Sequence, residues 1–223
     1  MLITYLNRAC SPIYGSTLFV QPMNTGSFII TCLLILFAYG LGSISGAISV
    51  CRCFSLTDPR KTGSKNPGAT NVYRIGGTTP AVLTLFIDSA KGAIPVYLAI
   101  VLTLPELTQG LIALAAIVGH MYPVYYHFKG GKGVATTLGA GLVLSPPTTL
   151  FITACWILVA RKVRISSVAS LTAALLAPIT AYILDPSYTL VYSILSVMII
   201  FRHKDNISGL LKHNEKRLDK PDL

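Results

Sequence analysis

Three short stretches hold most of the residues that can do chemistry. Residues 63–74 read GSKNPGATNVYR: Ser64, Asn66, Thr70 and Asn71 offer neutral hydrogen-bonding groups, and Lys65 and Arg74 offer positive charge. Glycines such as Gly68 let a backbone approach a ligand closely, and exposed N–H groups in such a loop bind anions. A solvated turn between two apolar segments is the alternative reading. The second stretch, FKGGKG at 128–133, sets Gly130, Gly131 and Gly133 around Lys132, ahead of Val134-Ala135-Thr136-Thr137, where a helix should start. A glycine loop that feeds a helix N-terminus offers N–H groups and a positive dipole end to a phosphate. A flexible basic turn at a lipid surface fits the same residues. The third is RHKDN, in which His203 and Asn206 are three apart and share a face if the helix before them continues.

Other chemistries lack their residues. The Gly131-Lys132 step has Tyr126 where a Walker A loop needs its first glycine, and Gly133 where it needs Ser or Thr. Five positions after His120, His127, His203 and His213 stand Tyr125, Lys132, Ser208 and Leu218, so there is no H-x-x-x-x-D. H-E-x-x-H, C-x-x-C and G-x-S-x-G are also absent, which leaves no expected metal site, no cofactor and no nucleophile–base pair. His120 and His127 read as packing residues before catalysts. Asp88 and Lys91 lie on one helix face inside an apolar run. Charges there are costly and usually paired or functional; a structural ion pair is the first reading, with Lys91 adding to the field around an anion as the second. The five cysteines form no disulfide framework and read as reduced.

What remains is a set of cations, amides and glycine N–H groups suited to two phosphorylated molecules. Coulomb repulsion between two such anions amounts to several kcal/mol at reduced dielectric, which Lys and Arg offset.

The elements that must position these groups are membrane helices. The 223 residues are 52% hydrophobic and 12% charged, about half the charged fraction of a soluble domain. The net charge of +10 lies between apolar runs, which points to lipid headgroups and anionic substrates, not nucleic acid. Residues 1–27 form an irregular tail without the pattern of a secretory signal. Met23 is a natural initiator, so trimming to it should leave activity intact. Residues 28–50 are long and apolar enough to span a bilayer core of ~30 Å. Further runs cover 78–104 and 108–127. Pro146 and Pro147 divide 134–160 into two short helices, roughly 134–145 and 148–160. Runs 167–184 and 187–201 follow, separated by Asp185-Pro186. The expected fold is an all-α membrane bundle of about seven spans, two of them short. Sixteen of the 18 Lys and Arg residues fall in the loops 52–76, 128–133, 161–166 and 202–223. The positive-inside bias then puts the N-terminus outside, the C-terminus in the cytoplasm, and all four loops on the cytoplasmic face. The membrane domain is expected over 28–217, with a short tail at 218–223. A small transporter of organic phosphate is the rival class, but it predicts polar groups on both faces, and the outer loops have nearly none.

GSKNPGATNVYRIGG, DSAKG, GHMYPVYYHFKGGKGVAT and RHKDN, in this order between apolar runs, resemble the bacterial acyl-phosphate:glycerol-3-phosphate acyltransferases of the PlsY type. The resemblance covers about residues 28–217. It implies a seven-span inner-membrane enzyme; with the charge distribution above, its active site should face the cytoplasm, and a monomer is expected. Its substrates would be acyl phosphate and glycerol 3-phosphate, and its products lysophosphatidic acid and phosphate. By motif position, Ser64 resembles the family serine that contacts glycerol 3-phosphate, and Arg74 and Lys132 resemble the residues that hold phosphate. His203 and Asn206 resemble the pair near the acceptor, and Ser167 a serine near the acyl phosphate. Asn66, Gly68, Thr70 and Asn71 match the first motif. One departure is Lys65, which stands where the family has glycine: it is either strained at positive φ or adds a charge beside the phosphates.

Overall fold

The structure, a computed structural model, describes residues 25–218. The readings for the tail up to residue 24, Met23 and Cys10 included, and for 219–223 lie outside that range; residues 25–27, expected as irregular tail, belong to the first helix. The described chain is helical: α1 (Thr25–Gly42), α2 (Gly46–Cys53), α3 (Ala69–Gly76), α4 (Thr78–Val101), α5 (Glu106–Met121), α6 (Val134–Leu144), α7 (Pro146–Val163), α8 (Ser166–Leu184), α9 (Thr189–Arg202) and α10 (Lys204–Leu211). Four segments are long and apolar enough to cross a membrane by themselves: Thr25–Gly42, Thr78–Val101, Glu106–Tyr126 and Ser166–Leu184. Val134–Leu144 and Pro186–Arg202 are shorter apolar helices. Large apolar side chains cover the outside of the bundle; Phe86, Leu36, Ile183 and Val197 are each about 70% exposed. A hydrocarbon solvent suits such a surface and water does not.

The unbroken span expected over 28–50 is not formed. The chain breaks between Gly42 and Gly46, and Ser45 accepts from the Ile48 N–H to cap α2. Serines compete for backbone groups in this way, and flanking glycines lower the cost of leaving the helix. A break inside a membrane must still satisfy its freed carbonyls and amides. The Asp88–Lys91 pair of α4 does so. Lys91 Nζ donates to the Ile44 carbonyl at 2.6 Å, Asp88 Oδ1 accepts from the Gly46 N–H at 3.1 Å, and the two side chains meet at 2.8 Å. Both are almost fully buried. The structural reading of this pair is therefore correct, and its task is specific: it staples the α1–α2 break.

The second discontinuity is where the prolines predict it, with different edges. The helices turn at Ser145, and Pro146 and Pro147 occupy the first turn of α7, where an N–H is not needed. α7 runs 18 residues and is not short. α6 has 11 residues, so it reaches only ~16 Å. Ser145, Thr148 and Thr149 are at most 1% exposed, so protein covers the turn as burial within a bilayer requires. α6 packs closely on α4: a side chain at Gly92 would strike the Thr136 carbonyl, and one at Gly139 the Ser89 carbonyl. Small residues at such contacts are the usual means of close helix association in membranes.

Candidate active site

At one end of the bundle the four basic loops touch one another. Arg202 donates from its guanidinium to the Gly130 and Gly131 carbonyls at 2.9–3.1 Å and lies over the Tyr122 ring. Lys132 donates to the Asn206 side-chain carbonyl. Lys216 Nζ donates to the Gly63 carbonyl at 3.1 Å, and the Arg74 guanidinium approaches the Lys216 and Arg217 carbonyls at 3.4 Å. The Leu218 N–H reaches the Arg164 carbonyl at 2.6 Å.

Between these loops lies a cavity of about 930 Å³, within the usual size of a small-molecule site. Ser64, Asn66, Gly68, Thr70, Asn71, Arg74, Gly130, Lys132, Gly133, Ser167, His203 and Asn206 all line it. Gly131 does not. Its N–H donates to the His120 carbonyl, and a side chain on it would strike the His120 ring. Gly131 serves close packing, and its N–H is not available to an anion. Gly133, at φ 82°, is the N-cap of α6 and permits the tight start of that helix.

Asn71 also has another role than substrate contact. Its side-chain oxygen accepts from the Ser64 N–H at 2.8 Å, and its amide donates to the Pro59 and Thr62 carbonyls at 2.8 and 3.0 Å. Asn71 is 1% exposed and clamps the loop that presents Ser64. Lys65 takes φ 58°, the left-handed region where glycine is at ease and other residues are strained. It is exposed and lines the same cavity, so the positive φ is present and the ammonium group stands at the cavity wall.

The helix before His203 does not continue straight through. His203, at φ −97° and ψ 9°, separates α9 from α10. Its Nδ1 lies 2.8 Å from the Ile199 carbonyl. A carbonyl only accepts, so Nδ1 carries the proton and Nε2 is the acceptor nitrogen. Burial, followed by the charge of Lys132, lowers the His203 pKa to about 4, so the ring is neutral at pH 7. Lys132 is lowered to about 8, chiefly by burial, with Arg202 and Arg74 also lowering it and Glu215 opposing them.

Glu215 escaped the sequence reading. It accepts from Ser167 Oγ at 2.7 Å and from the Asn206 amide at 2.6 Å. A carboxylate thus sits among groups expected to hold phosphate. Its signal was a single acidic residue in the basic run KHNEKR. Arg202 stood in the RHKDN motif, yet only the folded loop shows that it holds the glycine carbonyls.

Away from these polar groups the cavity continues as an apolar slot, lined by Leu85, Leu138, Ile152, Trp156, Ala174 and Leu195 among others. An elongated ligand with an anionic head and a hydrocarbon tail matches that gradient.

A family profile described as "Glycerol-3-phosphate acyltransferase" matches residues 32–213. The glycerol-3-phosphate acyltransferase of Hahella chejuensis is 57% identical over 181 residues, covering 81% of this chain and 93% of the relative. That of Shewanella woodyi is 49% identical over 187 residues, covering 84% and 93%. Two crystal structures of PlsY (YgiH), an integral membrane glycerol 3-phosphate acyltransferase, share the fold. The glycerol 3-phosphate form has a TM-score of 0.80 at 37% identity, and the lysophosphatidic acid form 0.77 at 36%. Each comparison covers 84% of this chain and 95% of the other. The all-helical membrane fold, the convergent glycine and basic motifs and this likeness agree: the chain belongs to the glycerol-3-phosphate acyltransferase family of the PlsY type.

Proposed function

We propose that the protein transfers a fatty acyl group from acyl phosphate to the 1-hydroxyl of sn-glycerol 3-phosphate, giving lysophosphatidic acid and phosphate. The convergence of Ser64, Arg74, Lys132, Ser167, His203 and Asn206 on one cavity that opens into an apolar slot carries this reading. The enzyme is a monomer with about seven spans, its N-terminus outside and its active site at the cytoplasmic face of the inner membrane. Acyl phosphate is already activated, so the protein must place the hydroxyl against the carbonyl and stabilise negative charge. Lys132 and Arg74 hold the phosphates, and Ser167 lies beside the donor. Ser64 contacts glycerol 3-phosphate, and Asn206 orients its attacking hydroxyl.

The hydroxyl oxygen bonds to the acyl carbon, the carbon–oxygen bond to phosphate breaks, and phosphate leaves with that electron pair. A neutral, weakly basic His203 accepts a hydrogen bond at Nε2 but is a poor destination for the proton at pH 7. A phosphate oxygen of the donor takes it. The acyl chain lies in the apolar slot and reaches it from the bilayer.

The test is an assay of purified protein in detergent, given acyl phosphate and labelled glycerol 3-phosphate. Labelled lysophosphatidate is the expected product. Product with acyl-CoA as donor and none with acyl phosphate would overturn the donor assignment.

A further inference from the structure

On α7 and α9 no residue further from the basic loops than Thr149 and Tyr192 lines the cavity, and we take this as the end of the slot. Thr149 of α7 and Tyr192 of α9 are hydrogen-bonded through their hydroxyls at 2.7 Å, and each is 1% exposed. Gly141 of α6 backs this pair: a side chain there would come within 2.5 Å of Thr149 Oγ1 and 2.9 Å of Tyr192 Oη. Thr149 and Tyr192 both line the cavity, as does Ser196, one turn nearer the polar end on α9. A buried hydroxyl pair bonded to itself leaves neither group unsatisfied when a hydrocarbon end abuts it.

We infer that Thr149 and Tyr192 are specificity-determining residues, forming a floor that sets the length of acyl chain accepted; this rests on the acyl-phosphate reading above. The scale comes from α9. Tyr192 lies 11 positions before His203, and at 1.5 Å per residue the floor is ~16 Å from the polar end. An extended chain with C–C bonds of about 1.5 Å advances about 1.3 Å per carbon. A straight chain therefore meets the floor after about a dozen carbons, and longer chains must bend or leave sideways into lipid.

The experiment measures kcat/KM for acyl phosphates of eight to eighteen carbons, in wild type, Tyr192→Ala and Ser196→Leu. Because each profile is a ratio among donors within one preparation, partial loss of folded protein cancels. Wild type should rise with chain length and turn over before eighteen carbons. Tyr192→Ala should move the optimum longer by two carbons or more. Ser196→Leu, one turn above the floor and facing the cavity, should move it shorter by a similar amount. A merely structural role for these residues changes all donors alike. Profiles that superimpose, or that shift in the same direction, overturn the floor. Absence of product from every acyl phosphate in wild type would instead remove the reading on which the floor rests.

Discussion

An exposed lysine is fully protonated at neutral pH, but Lys132 is held near the edge of that range. Its pKa of about 8 reflects burial and the nearby Arg202 and Arg74, partly offset by Glu215. If Lys132 must be charged to hold phosphate, kcat/KM, which reports the free enzyme, falls as pH rises through about 8. Lys132→Arg stays charged across that range and should lose this alkaline limb. Glu215 is the larger of the two carboxylates, with Asp205, that raise the Lys132 pKa, so Glu215→Gln should move the limb to lower pH. A pH–rate profile for the three proteins checks all of this. Lys132→Ala should cut turnover by roughly 10²–10³, the usual cost of one lost electrostatic contact to a transition state. For His203 the pKa of about 4 predicts no inflection of kcat near pH 6.5. An inflection there that vanishes in His203→Ala would make the histidine the base and contradict the donor-phosphate proton transfer.

At the scale of the elements, the α1–α2 break depends on charges from another helix. Removing one partner of a buried pair costs about 3–5 kcal/mol because the other charge is stranded. Asp88→Asn and Lys91→Met should each lower thermal stability in detergent by that order, and the double variant by less than their sum. Additive losses would mean the two residues do not act as a unit. This break also marks the limit of what the sequence discloses. Residues 28–50 are apolar throughout, and helix periodicity does not reveal where a tertiary partner makes an interruption tolerable. Asp88 and Lys91 were conspicuous as intramembrane charges, but their target was a carbonyl and an amide more than 40 positions away. Pro146 and Pro147, by contrast, act through local sterics, so the α6–α7 turn was legible to within a few residues. Motif position within the family resemblance singled out Ser64, Arg74, Lys132, His203 and Asn206, and all five line one cavity. A motif match does not separate a ligand contact from a clamp: Asn71 lines the cavity while its side chain bonds the 59–64 loop, and Gly131 packs on His120.

For the whole molecule, the contacts among the four basic loops require them to share one side of the membrane. Single cysteines at Lys65, Lys129, Arg161 and Lys212 in a cysteine-free background should react with an impermeant maleimide only from the cytoplasmic side. Labelling of any one from the outer side would break the topology. The tail at 212–218 lies against the site: its Lys216 and Arg217 carbonyls take Arg74, and its Glu215 carboxylate takes Ser167 and Asn206. Its contacts bring three stretches, 63–74, 164–167 and 206, to the tail, and the proposed reaction puts both phosphorylated substrates among them. Direct transfer within one cationic pocket is the central claim, and initial rates with both substrates varied test it most directly. Intersecting double-reciprocal lines, the mark of a complex holding both substrates together, are the predicted result. Parallel lines, with acyl group trapped on the protein before glycerol 3-phosphate is added, would contradict it.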